Sequence, residues 1–386
     1  MRPWIEGFFL FLFSFFLFTF ALFSIFEGFP SLAEKLRLES IHYYRLKERY
    51  VPDPVLIFRR KPNYHYQGFF VGDHYGLFSD RKTKHIPYEA RFDENGLRNA
   101  SGHNAPHIGL IGDSFLEFGM DEADTLAKRL EKLTGLSVKN YGMEWYGPFQ
   151  YLESFKRYVL PDRPQTVFIL FFEGNDLRDM THYLNWRAGG DYYHFNLTRK
   201  NLLERYLITL KDTGLYFLKL FLRSVDPRRV HILLPEGSEF NTILSYSVDL
   251  RPAEQIESSA EGRALKGILQ EFKASAEKNG IDLVVVYIPT TAHIYAPYAS
   301  SKSHVEWLSL QPEWIQNKSN QEACVRKMVE DSGMDWLSLT PAFEKAAASG
   351  SLLYYPTDTH WNEEGRKITA SLLADHLLLR QRSAPS

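Results

Sequence analysis

The sequence predicts an α/β protein: a three-layer domain on a parallel sheet of five strands, preceded by one helix able to cross a membrane. Two observations give the domain. From His107 onward, short apolar runs alternate with amphipathic helical segments, and strands that alternate with helices form parallel sheets. The runs HIGLIG, SVKNYG, TVFILFF, DLVVVYI and DWLSL supply five strands. The helix is given by the third observation, the stretch Phe8 to Phe26, FFLFLFSFFLFTFALFSIF, which carries no charge and only Ser14, Thr19 and Ser24 as polar interruptions. It is long enough to span a hydrocarbon core of about 30 Å.

That N-terminal segment reads as residues 1–30 of a retained signal anchor. The length of the apolar run and the lack of a small-x-small site directly after it set it apart from a cleaved signal peptide. Arg2 lies on one side of it and Lys35, Arg37 and Arg45 on the other, so the positive-inside count does not choose an orientation. Residues 31–104 are expected to form an extended subdomain: a polar, helix-prone stretch to Tyr50, then a region rich in Pro, Gly, Tyr and His with turn signals at Pro52-Asp53-Pro54 and Asn95-Gly96.

The α/β domain is expected over residues 105–386. After the first strand, Leu126, Leu130 and Leu133 mark one face of a helix closing at Gly135, and a second helix is expected near Tyr151 to Val159. Later helices are expected through Leu265, Ile268, Leu269 and Phe272 to Asn279-Gly280, around Val325 to Val329, and from about Glu363 to Leu379. Between about 180 and 259 the rhythm breaks into aromatic-rich loops and the segment NLLERYLITLKDTGLYFLKLFL. Its Lys211, Asp212 and Lys219 argue against a second membrane span. The segment is read as a cap-like insertion, with an interfacial helix on the bilayer as the alternative.

Composition narrows the function. A formal net charge of -2 on 386 residues gives no electrostatic case for nucleic acid. The single cysteine, Cys324, rules out an internal disulfide framework and a cysteine-rich metal site, and the thirteen histidines contain no HExxH pairing. No metal and no cofactor are expected.

The chemistry gathers at strand ends, where ligands meet doubly wound sheets. Ser114 follows HIGLIGD at once, TVFILFF runs into Glu173-Gly174-Asn175-Asp176, and SVKNYG runs into Met143-Glu144-Trp145-Tyr146-Gly147. Near the C-terminus, YYPTDTHWNEEG places Asp358 and His360 on a loop before the last helix. Taken alone, a Gly-Asp-Ser triplet is as well explained as a helix cap. Asp176 reads as tying down its loop, and His182, Tyr183 and Trp186 as packing within the insertion. The sequons at Asn99, Asn196 and Asn317 are chance-level matches.

These ordered blocks resemble the SGNH (GDSL-type) hydrolase superfamily across roughly His107 to Leu379. The resemblance implies a flavodoxin-like three-layer α/β/α fold with Ser114 as nucleophile, His360 as general base, Asp358 as its orienting carboxylate and Asn175 as an oxyanion-hole donor. Backbone N–H groups of Ser114 and Trp145 complete that hole, with Gly142 ranked behind them. Such a site is chemically coherent, because a serine hydroxyl attacks only when a base accepts its proton and the base needs a partner to fix its tautomer.

The sequence departs from the family pattern at three places. Phe115 stands where leucine is usual after Gly-Asp-Ser, and Trp145, five residues after Asn140, stands where the family presents an oxyanion glycine. In the remaining blocks the glycine of Glu-Gly-Asn-Asp is displaced and Asp-Thr-His has one residue between its ends. The anchor and the ending DTHWNEEG are also similar to envelope-associated members, including relatives that O-acetylate polysaccharides such as alginate beside a multi-span membrane acyltransferase. The implied function is a serine esterase or O-acyltransferase acting on acetyl esters of envelope carbohydrate outside the cytoplasm. Its partners are then an acylated carbohydrate, the membrane through the N-terminal helix, and a multi-span acyltransferase. The alternative is a catalytically silent carbohydrate-binding or scaffold protein that keeps the fold.

Overall fold

The computed structural model describes residues 2–29, 49–70, 72, 86–99, 105–190, 192, 201–222, 229–243, 248–303 and 305–383. Most of the polar stretch after the anchor, the sequon at Asn196 and most of the aromatic run from Asp191 lie outside them. In chain order the main elements begin α1 (Arg2–Gly28), β1 (Tyr50–Asp53), β2 (Ile57–Arg60), β3 (His65–Phe70), β4 (Ile86–Arg91), β5 (Ile108–Ile111), α2 (Ser114–Glu117), α3 (Leu126–Thr134), β6 (Val138–Asn140) and α4 (Pro148–Ser154). They continue with β7 (Thr166–Phe172), α5 (Asp176–Arg187), α6 (Leu202–Leu222), β8 (Arg229–Leu233), β9 (Glu239–Ile243), α7 (Ala253–Ser258) and α8 (Ala260–Glu277). The last are β10 (Asp282–Ile288), α9 (Thr291–Tyr295), α10 (Val305–Asn317), α11 (Asn320–Asp331), β11 (Asp335–Ser338), α12 (Thr340–Ala348) and α13 (Glu363–Ser383).

Two compact units result, Met1–Lys61 with Asp191–Arg223, and Pro62–Gly190 with Ser224–Ser386. The first holds α1, the antiparallel hairpin β1–β2 and α6. Within α1, Trp4–Gly28 is long and apolar enough to cross a membrane, with a mean hydropathy of 2.5. The leucine-rich α6 therefore shares a unit with the N-terminal helix.

The second unit is built on a five-stranded sheet in the order β11-β10-β7-β5-β6, parallel throughout. The five runs read from the sequence are its strands. This is the flavodoxin-like order, and it fixes the layers. The chain steps outward from β5 to β6, then returns across β5 to β7, β10 and β11. Right-handed crossovers thus place α3 on one face and α4, α8 and α11 on the other. The helix packing agrees: α13 lies on α3, while α8 packs with α4, α5 and α11.

Local sequence accounts for these elements. Every residue of β5 and β7 is buried, as strands covered on both faces require. Thr125 caps α3 by accepting from the Lys128 N–H, and Gly135, at φ 70°, closes it in the left-handed conformation. Leu126 and Leu130 are buried, but Leu133 is exposed, because Gly135 turns the chain away before another turn can shelter it. α4 starts earlier than expected, with Pro148 in its first turn, and a π-helical turn at Phe155–Val159 follows.

Candidate active site

In an open α/β sheet the ligand crevice opens at the carboxyl ends of the strands where the connection changes direction. Here that point lies between β5 and β7. Ser114 begins α2 three residues after β5, and Asn175 caps α5 three residues after β7. Trp145 lies in the turn after β6.

The loop before α13 completes the cluster. His360 Nε2 is 2.7 Å from Ser114 Oγ, and its Nδ1 is 2.6 Å from Asp358 Oδ1. The same Oδ1 accepts the His360 backbone N–H at 2.8 Å. That double use explains how one intervening residue suffices: the carboxylate turns back on its own chain and meets both the amide and the ring two residues on. A carboxylate only accepts, so Nδ1 carries the ring proton and Nε2 is the bare nitrogen facing the serine hydroxyl. Asp358 and His360 are both buried.

Asp113 and Asn175 meet beside this chain of bonds. Asn175 Nδ2 donates to Asp113 Oδ2 at 3.3 Å, and the other carboxylate oxygen accepts the Phe115 N–H at 3.0 Å. Burial pushes the Asp113 carboxyl up to about 6, against the opposing pull of Phe115 N–H, His360 and Asn175. An acid whose folded pKa lies above its unfolded value contributes stability below the unfolded value and loses it as pH rises through the folded one. Asp113→Asn abolishes that loss but can accept from only one of Asn175 and the Phe115 N–H. Its melting temperature relative to the parent should therefore rise between pH 4 and pH 8, by the equivalent of about 2–3 kcal/mol. An advantage that does not grow with pH would place the buried charge elsewhere.

Asp176 behaves as read from the sequence. It is buried, accepts from Phe172 N–H at 2.9 Å and Tyr151 O–H at 2.7 Å, and is pushed well above the usual carboxylate range by burial and then by neighbouring Asp113. Tyr183 stacks on Phe149 at 3.7 Å and lies near Trp186, while burial lowers the pKa of His182. The sequon asparagine Asn99 is buried and bonded to Asp93 and to the Asn140 carbonyl.

The turn after β6 carries Trp145, at the position where the sequence resemblance implies a glycine. Trp145 adopts φ 67°, in the left-handed region that glycine enters freely and other residues enter at a cost of about 1–2 kcal/mol. The backbone under this tryptophan thus has the conformation that glycine favours. Gly142 plays a different part. Its N–H donates to Asn140 Oδ1 at 2.8 Å, and a Cβ there would lie 2.6 Å from Leu116 Cβ. Its donor is spent inside the turn, and the residue is small so that β6 can approach α2. Trp145→Gly should therefore fold with no loss of stability beyond about 1 kcal/mol, since released strain offsets the added chain entropy. Turnover should be retained, with bulkier acyl groups accepted. Complete loss of turnover would mean that the indole itself holds substrate.

Three groups that frame the site carry no local sequence signal. Arg98 is buried, and its guanidinium donates to the carbonyls of Glu117, Gly119, Glu89 and Asp121, gripping the chain on both sides of Phe118. Phe118 in turn lies flat on the His360 imidazole, with centroids 4.2 Å apart and planes 7° apart. Glu173 is buried at the end of β7, where it accepts from Tyr287 O–H, His293 Nδ1, Thr290 N–H and Thr290 O–H. It ties the loop bearing Asn175 to the loop after β10. Among the described residues, no group of His, Cys, Asp and Glu is arranged to hold a metal ion.

The five-stranded parallel sheet has the flavodoxin-like order, with serine, histidine, aspartate and asparagine gathered at its switch point. Residues 247–385 match the family described as SGNH hydrolase-like domain, acetyltransferase AlgX. That stretch contains Asp358 and His360, and Ser114 and Asn175 precede it. No curated protein sequence matches the chain.

Among solved structures, the chain is similar to a protein described as an SGNH hydrolase from Slackia heliotrinireducens, with 11% identity, a TM-score of 0.37, and coverage of 70% of this chain and 98% of that one. It is also similar to a GDSL-like lipase from Parabacteroides merdae, with 12% identity, a TM-score of 0.38, and coverage of 71% and 96%. An acetyl xylan esterase gives 12% identity, a TM-score of 0.35, and coverage of 70% and 98%. Likenesses this distant speak to neither activity nor substrate.

Proposed function

We propose that this chain is a membrane-anchored serine esterase or O-acyltransferase that works through an acyl-enzyme on Ser114 and acts on acetyl esters of envelope carbohydrate. The observation that carries the proposal is the continuous chain of bonds from Ser114 Oγ to His360 Nε2 and from Nδ1 to Asp358. A silent scaffold has no use for a base aligned on a serine, which counts against that alternative.

In this reading Ser114 Oγ attacks the ester carbonyl while His360 Nε2 takes the hydroxyl proton. The oxyanion is held by the Asn175 side-chain amide and the N–H groups of Ser114 and Trp145. Ser114 opens α2, and the first N–H groups of a helix have no intrahelical acceptor. His360 then returns its proton to the leaving alcohol, and the acetyl group remains on Ser114. Water or a sugar hydroxyl then attacks the acyl carbon, giving its proton to His360 Nε2; the bond from the acyl carbon to Ser114 Oγ breaks and Oγ takes that proton back, releasing acetate or the acetylated sugar. Arg98 and Phe118 act as positioning residues, fixing the plane in which the imidazole meets both partners.

The acetyltransferase description of the matching family favours transfer over plain hydrolysis, and the length and apolar composition of α1 favour a retained anchor; carbohydrate as acceptor and a catalytic unit outside the cytoplasm are part of the same proposal. A multi-span acyltransferase is the partner such an arrangement calls for. The test is the partition of labelled acetyl between free acetate and added oligosaccharide as acceptor concentration rises. Labelled sugar should appear at the expense of acetate. If acetate release stays unchanged with every acceptor and no sugar is labelled, the enzyme is an esterase only.

A further inference from the structure

We infer that α6 is seated in the bilayer beside α1, so that the chain meets the membrane through two helices. The contact between them is centred on Tyr206, which is buried against Phe16, Phe20 and Phe23 of α1 at ring distances of 5.3, 5.1 and 5.7 Å. Its hydroxyl lies 2.6 Å from Thr19 Oγ1. Thr19 Oγ1 also donates to the Phe15 carbonyl at 2.8 Å, so its one proton is committed and Tyr206 is the donor between the two hydroxyls. Both hydroxyl protons are thus bound without water, as hydrocarbon demands.

The depth of this contact follows from helix geometry. The span Trp4–Gly28 is about 37 Å long at 1.5 Å per residue, against a hydrocarbon core of about 30 Å. Thr19 then sits about 10 Å inside the boundary at the Gly28 end. A side chain bonded there must enter the lipid, and it brings the start of α6 with it.

The neighbouring residues divide by polarity in the same way. Arg205 faces Glu27 at 3.6 Å, at the end of α1 where headgroups begin, and Asn201 and Glu204 cap each other's N–H groups in the first turn of α6. Leu202, Leu203 and Leu207 flank Tyr206 and are 39%, 49% and 50% exposed. The hydrocarbon that surrounds α1 extends to these leucines and covers them. Lys211, Asp212 and Lys219 keep α6 from crossing, so it lies obliquely in one leaflet, pinned by Tyr206.

The test uses the full chain in phosphatidylcholine vesicles, with an environment-sensitive thiol label at Leu203→Cys or Leu207→Cys. Native Cys324 is buried and its thiol is pushed up to about 11, so it stays unlabelled. Position 207 should be quenched by brominated acyl chains at least half as strongly as a label at Phe11→Cys, and it should be several-fold less sensitive to aqueous iodide than one at Lys302→Cys. Iodide quenching equal to that at position 302 would overturn the inference. Protection from both quenchers would also overturn it, because protein rather than lipid would then cover the leucines. The Phe11 label tests separately whether α1 itself is in the bilayer.

Discussion

Ser114→Ala and His360→Ala are each expected to lower turnover of an acetyl ester by about a thousandfold or more, and the double variant should be scarcely worse than either alone. Nucleophile and base form one unit, so removing the second after the first deletes nothing further. The structure makes this expectation specific. The 2.7 Å contact between Nε2 and Oγ is the only route by which the serine proton reaches a base in the proposed mechanism. Ser114→Ala removes one hydroxyl and should change melting temperature little, whereas His360→Ala also deletes a buried ring stacked on Phe118 and should lower it modestly while the protein stays folded. Asp358→Asn should cost less than either, because the attacking hydroxyl and the accepting nitrogen remain and only the orientation and charge support of the ring are weakened. Steady-state kinetics on a p-nitrophenyl ester, with parallel thermal scans, checks all three. Near-parental turnover in either alanine variant would refute the assigned pair.

The second large effect is expected at Asn175, where alanine should lower kcat by about a hundredfold or more and leave KM within a few fold. A donor aimed at a developing oxyanion strengthens its bond as charge appears, so its loss is felt in the transition state and hardly in the bound ester. The structure holds Asn175 in place: its amide donates to Asp113, and the loop that carries it is fixed by buried Glu173 and Asp176. Asn175→Asp should be as poor as alanine, since a carboxylate supplies no donor and adds a second charge beside Asp113. A rise in KM with kcat unchanged would instead make Asn175 a residue that binds the ground-state ester.

Much of this site was legible in the sequence because its parts sit at strand ends, and strand ends are written locally. Uninterrupted apolar runs such as TVFILFF identify buried parallel strands, and the residues directly after them must emerge at the sheet edge. Ser114 and Asn175 could therefore be placed together without any knowledge of loop shape. The framing residues could not. Arg98 binds carbonyls some twenty positions along the chain, Glu173 meets His293 across 120 residues, and Tyr206 meets Thr19 across 187. None of these pairings leaves a period or a turn signal. The same holds for α6: its leucines and charges suggested an insertion or an interfacial helix, and it takes the tyrosine–threonine contact to tie it to the N-terminal span.

Trp145 shows the reverse case, in which residue type misleads and backbone geometry informs. A bulky aromatic in place of a glycine suggests a lost oxyanion hole. Its φ of 67° shows the turn in the conformation a glycine would choose, and the backbone keeps its N–H whatever side chain the residue bears.

The central claim is that an acyl group is carried on Ser114, and trapping the covalent species tests it most directly. The full chain would be exposed to a radiolabelled or mass-tagged p-nitrophenyl acetate, quenched in acid within the first turnover, digested and mapped by mass spectrometry. The account predicts one acetyl adduct on the peptide containing Ile108 to Gly119, localised to Ser114 and absent in Ser114→Ala. Ester turnover at the parental rate with no adduct on that peptide, or with the adduct on another residue, would contradict it.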